Sequence, residues 1–137
     1  MLHVASANHP TAAATVLWIR TVEAQVDGAD DDAIAGGAAG AGALDPRWSI
    51  PLAYGALMLT GRGALDEAEA LVAQGQRLHG DDPWFPYTRG MLALRRGHPE
   101  VAADWLEQAA ALPGAPEVHQ AAADALRDAA ADAPRDR

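Results

Sequence analysis

Five histidines, two serines and two short acidic clusters are the first places to look for chemistry in this chain. A histidine metal site needs two imidazoles one helical turn apart, or an imidazole with a glutamate in register. His3, His9, His79, His98 and His119 are scattered and form no His-x-x-x-His pair. His98 reads as the start of a helix and His79 as the end of one, near its negative pole. Ser6 and Ser49 lack the Gly-x-Ser-x-Gly surroundings of a nucleophile elbow. Asp30, Asp31 and Asp32 lack the alternating order and the distant glutamate of a calcium loop, so they read as helix-start acids. Asp81 and Asp82, before Pro83, read as turn and cap residues. The chain has no cysteine, which removes disulfides, thiolate zinc sites and thiol nucleophiles together. No phosphate loop or dinucleotide fingerprint is present, so the expectation is a protein that is not an enzyme and uses no metal or cofactor.

Charge narrows the partners. The 137 residues carry a net charge of −9, and every one of the ten basic residues is arginine. Nucleic-acid affinity rests on cations that neutralise phosphates, so a nucleic-acid partner is not expected. No window approaches the eighteen or so consecutive apolar residues of a spanning helix. Residues 1–10 have neither the basic start nor the apolar run of a secretory signal. A cytoplasmic protein with no membrane association is expected. Half of the residues are apolar but only 5% are aromatic. Half of that apolar share is alanine, and small side chains bury little area each.

The elements that would position any site come from a repeat. Asp27-Gly28-Ala29-Asp30-Asp31-Asp32-Ala33 aligns with Arg62-Gly63-Ala64-Leu65-Asp66-Glu67-Ala68 and with Arg96-Gly97-His98-Pro99-Glu100-Val101-Ala102. The glycines Gly28, Gly63 and Gly97 are 35 and 34 residues apart, and Ala33, Ala68 and Ala102 keep the same spacing. Asp45-Pro46-Arg47-Trp48 echoes Asp82-Pro83-Trp84-Phe85. Each glycine sits where a helix should stop, because glycine tolerates the left-handed conformation that ends helices. An acidic or proline-bearing start follows each time: Asp30, Asp66 with Glu67, and Pro99 with Glu100. Leu65, Ala68, Leu71, Val72, Gly75 and Leu78 keep close to a 3.6-residue period. No segment alternates as a strand would. The fold class predicted is all-α.

A period of 34 residues with glycine at the turn and small residues at fixed places resembles the tetratricopeptide repeat. The family's small positions fall on Gly90, Ala102 and Ala109 in the third unit and on Ala56, Ala68 and Gly75 in the second. In the first they fall on Thr21, Ala33 and Gly40. The chain departs from the pattern where leucine is usual, with Arg20, Gly55 and Arg89, and where tryptophan is usual, with Leu17, Leu52 and Pro86. The resemblance implies a right-handed superhelix of three helix–turn–helix units, at about 14–47, 48–82 and 83–116. A capping helix at 116–130 would complete a single domain over 1–130, followed by a polar tail at 131–137.

The resemblance also implies a concave groove lined by the first helix of each unit. That places Thr15, Trp18, Val22 and Gln25 in it from the first unit and Ile50, Ala53, Leu57 and Thr60 from the second. The third contributes Trp84, Tyr87, Met91 and Leu94, with Arg95 beside the edge. The candidate partner-binding residues are Trp18, Val22, Leu57, Trp84, Tyr87, Met91, Leu94 and Arg95. Aromatic and methionine side chains concentrate binding energy, but at helical spacing they also build cores, and both readings stand for Trp18 and Trp84. Trp105 reads as packing between repeats. Family members that clamp a C-terminal carboxylate use Lys, Asn and Arg on these positions, where this chain has Trp, Val, Leu and Met, and it has no Lys at all. An apolar groove suits an amphipathic helix or an extended apolar peptide of a protein partner. Its occupant could also be residues 1–10 or a second copy, making a homodimer or heterodimer possible. The alternative role is a small secretion chaperone, of the bacterial type III kind, holding an aggregation-prone client.

Residues 34–44 resist a simple reading. Four glycines stand where the second helix of the first unit belongs. At about 1 kcal/mol each against alanine, they oppose the helix by about 4 kcal/mol. Either the helix is frayed, or the glycines make a smooth face on which another helix packs closely.

Overall fold

The computed structural model describes residues 10–134, and every regular element among them is helical. The chain divides into two compact units, Met1–Gly80 and Asp81–Arg137. In the first, α1 (Ala12–Val26), α2 (Asp31–Leu44), α3 (Ile50–Arg62) and α4 (Leu65–Leu78) succeed one another. Each packs on the next, and α4 also reaches α2. The second unit holds α5 (Trp84–Arg95), α6 (Pro99–Ala111) and α7 (Glu117–Asp132), with α6 packed on both neighbours. Residues 1–9, which include most of the N-terminal segment considered as a groove occupant, and 135–137 of the tail lie outside the described residues.

The three repeat glycines explain why each helix pair turns where it does. Gly28, Gly63 and Gly97 have φ of 86°, 83° and 81°, in the left-handed region. At each, the glycine N–H donates three residues back and the next N–H donates five residues back. The first turn, for instance, has Gly28 N to Gln25 O at 3.2 Å and Ala29 N to Ala24 O at 2.8 Å. The same pair of bonds recurs at Gly63–Ala64 and at Gly97–His98. This is the Schellman closure, which satisfies carbonyls that a helix end would leave bare. The next helix then starts on acids. Asp30 caps α2 by accepting from Ala33 N at 2.8 Å, and Asp66 with Glu67, then Glu100, stand in the first turns of α4 and α6. His98 holds the N-cap place of α6, but its side chain makes no capping bond.

The loops ahead of α3 and α5 repeat as well. Asp45 Oδ1 accepts from Arg47 N at 3.2 Å, and Asp82 Oδ1 accepts from Trp84 N at 2.9 Å. Asp45 also receives Thr11 N on its other oxygen at 2.9 Å, tying the start of α1 to the loop after α2.

Residues 34–44 form regular helix throughout α2. Fraying is absent because the glycines are where neighbours come closest. A Cβ on Gly37 would lie 2.0 Å from Thr21 Oγ1 of α1. One on Gly40 would meet Leu17 of α1 at 2.9 Å, and one on Gly42 would meet Leu52 of α3 at 2.8 Å. Glycine therefore costs local propensity and gains a close contact on both flanks, and tertiary packing overrides propensity. Gly36, with open space around its Cβ position, shares none of this.

The core of the first unit is built from Ile34, Ala38, Leu52, Ala56, Leu59, Leu71 and Val72, all buried. That of the second uses Phe85, Leu92, Ala102, Leu106, Ala109 and Ala123. The small-residue triads differ between repeats. Ala56, Ala68 and Gly75 are all buried, as are Gly90, Ala102 and Ala109, whereas Ala33 of the first triad is exposed. In the first pair the close approach runs through Thr21 and Gly37 instead.

Candidate functional site

The residues singled out from the sequence fall into two groups, one in each unit. In the first unit Trp18 is buried, with 9% of its surface exposed, and its ring meets Tyr54 of α3 edge-on at 5.8 Å. Trp18 thus belongs to the α1–α3 packing, with Tyr54, itself half exposed, as its cover. Val22 and Leu57 are half-buried. Val16 and Ile19 of α1 are each 50% exposed and Ile50 of α3 is 55% exposed, so the larger open apolar side chains here are not the ones selected from the sequence as binding residues.

In the second unit, α5 separates its residues by face. Phe85, Pro86, Thr88, Gly90, Leu92 and Ala93 turn inward. Trp84, Tyr87, Met91 and Leu94 stand three, four and three residues apart, which places them along one side of the helix. Trp84 is 37% exposed and Leu94 is 40% exposed, while Tyr87 and Met91 are half-buried. Arg95 is exposed in the last turn, where a cation suits the helix dipole.

What holds this row in place is a histidine that sequence reasoning passed over. His119 of α7 is fully buried. Its ring stacks on Tyr87 at 4.5 Å with 19° between planes, and meets Trp84 edge-on at 4.9 Å. Trp84 and Tyr87 meet each other edge-on at 5.2 Å, so the three rings close on themselves. Such contacts add about 0.5–1.5 kcal/mol per aromatic pair beyond the area they bury. Neither ring nitrogen of His119 has a hydrogen-bond partner among the described residues. Leaving a buried polar atom unpaired costs about 1–3 kcal/mol. Burial pushes the imidazole below its ordinary value, so the neutral ring is the one that fits. The sequence carried no advance signal for it: His119 is the third residue of the last helix, and the rings it meets are on α5.

The other end of α7 is held electrostatically. Arg127 donates to Glu107 and, at 2.7 Å, to Asp104, both on α6. The hydrogen bond from Arg127 holds the Glu107 carboxyl below its ordinary range, and the two acids push the guanidinium higher still. An open cleft of about 350 Å³ between α6 and α7 is lined by Pro99, Glu100, Ala103, Asp104, Leu126, Arg127 and Ala130. Its cation is already engaged by acids, which leaves it nothing with which to select an anion. Trp105, expected in packing between repeats, carries the Arg89 guanidinium over its ring at 5.2 Å, a contact inside its own pair.

No group of three or more histidine or acidic side chains that could hold a metal ion occurs among the described residues. No helix among them is long and apolar enough to cross a membrane. Family models, curated proteins and solved structures give no match to this chain.

Proposed function

We propose that this chain is a protein-interaction module of tetratricopeptide type, a right-handed helical array, which binds a peptide or helix of a protein partner through the open side of α5. The observation that supports it most is the row Trp84, Tyr87, Met91 and Leu94. Two of its side chains keep more than a third of their surface in solvent while the opposite face of the same helix is packed shut. Large apolar side chains held rigid by neighbours bind at low entropic cost, and the Trp84–Tyr87–His119 contacts supply that rigidity. The absence of lysine and the net charge of −9 favour a protein over a nucleic acid.

The test is affinity capture from the native host's lysate with wild type beside a Met91→Ala, Leu94→Ala double variant. Neither residue belongs to the Trp84–Tyr87–His119 ring cluster, and circular dichroism checks that the variant folds. Loss of about tenfold or more of one retained protein supports the reading and identifies the client. Equal retention by both moves the interface off α5. A client that is insoluble alone points to the chaperone role.

A further inference from the structure

We propose that His119 is an acid-sensitive latch, which docks the N-terminal half of α7 on α5 while its ring is neutral and releases it when the ring takes a proton. The argument starts from the cluster. His119 is fully buried between its own helix and the Tyr87 and Trp84 rings of α5, and neither nitrogen has a hydrogen-bond partner among the described residues. A neutral imidazole can be buried this way, but an imidazolium would be a charge with two unsatisfied donors in an apolar setting.

No acid among the described residues is hydrogen-bonded to the ring, and Asp82, in the loop ahead of α5, accepts instead from Trp84 N. From α5 the titratable group facing it is Tyr87, whose ring is stacked on the imidazole. Arg89 of the same helix lies over Trp105, and Arg95 is in the last turn. The residues that α6 buries are Ala102, Ala103, Leu106 and Ala109; of its three acids, Glu100 is exposed in the first turn and Asp104 and Glu107 are bonded to Arg127. The connection 112–116 has no ionisable side chain. On α7 itself, Glu117 and Asp124 are exposed. His119 is also the third residue of α7, where the unpaired N–H groups of a helix start make a positive potential that opposes a cation.

The two ends of α7 therefore respond differently to acid. Burial holds the folded imidazole below its ordinary 6.5, so the released state binds a proton first as pH falls. Docking is complete above about pH 6.5 and weakens below it, by about tenfold in the opening constant per pH unit, until the folded ring titrates too. The Arg127 bonds to Glu107 and Asp104 hold the last turns of α7 on α6.

The latch is independent of what binds α5 and is tested without a partner. Amide hydrogen exchange on the full chain at pH 7.5 and pH 5.0, corrected for intrinsic rates, should show exchange within residues 117–124 rising about tenfold or more in acid. In His119→Phe, which keeps a ring but cannot titrate, the rise should vanish. An NMR titration of the wild-type ring should place it below 6.5, and this readout stands even if the phenylalanine variant fails to fold. Unchanged wild-type protection at pH 5.0 overturns the proposal. So does an equal loss in a folded His119→Phe, or a ring that titrates at or above 6.5.

Discussion

The chain closes its helix contacts in two opposite ways. Around α2 it removes side chains: Gly37, Gly40 and Gly42 let α1 and α3 approach until no Cβ fits without displacing a neighbour. Around α5 it inserts them: Phe85 fills the core, and Trp84, Tyr87 and His119 pack ring on ring. A sequence with only 5% aromatic residues cannot use the second device everywhere. The two devices are vulnerable to different changes. The glycine contacts should fail when volume is added, and the ring contacts when volume or neutrality is lost.

Substitutions can sharpen that contrast. The largest effect belongs to the ring side. Phe85→Ala, at a fully buried site, should lose about 3–5 kcal/mol in a urea titration, because the cavity adds to the lost transfer energy. On the glycine side, Gly37→Ala should cost about 1–3 kcal/mol, although alanine is the better helix former. Its Cβ would fall 2.0 Å from Thr21 Oγ1, which is already fixed by its hydrogen bond to Leu17 O. Gly36→Ala, one residue away with open space around it, should instead gain about 0.5–1 kcal/mol. If both alanines stabilise, the close approach of α1 to α2 is wrong.

A smaller effect concerns Asp45. Burial works to raise its carboxyl, but the N–H groups of Thr11 and Arg47 and the Arg47 side chain outweigh it and hold it below its ordinary value. A carboxyl lowered on folding adds stability above its unfolded value and loses it as pH falls through the folded one. The melting-temperature gap between wild type and Asp45→Asn should therefore be widest near neutrality and close as pH falls below about 4. A gap that is constant with pH would mean that the Asp45 carboxyl is not lowered on folding.

Helix boundaries were legible in the sequence because they depend on local chemistry. The glycine, acid and proline signals at 28–33, 63–68 and 97–102 act within one turn of themselves, and the Schellman bonds form where they indicate. Propensity could not decide residues 34–44, since the answer lay in what faces them. Counting glycines opposes a helix there, whereas the contacts with Thr21, Leu17 and Leu52 require one. The candidate site was legible as a row on α5, because its spacing is a property of that helix alone. Trp18 and Trp84 had the same standing in sequence, yet one is covered by Tyr54 and the other is partly open. His119 was hidden for the same reason, being 32 residues from the Tyr87 it stacks on.

Trp84 offers the most direct test of the docking face. Trp84→Ala should be measured twice, by urea denaturation and by capture from the host lysate at matched folded concentration. With over a third of the ring in solvent, the stability loss should stay below about 2 kcal/mol while capture of the client falls about tenfold or more. A loss of about 3–5 kcal/mol with capture unchanged would make Trp84 a core residue and remove α5 as the binding surface.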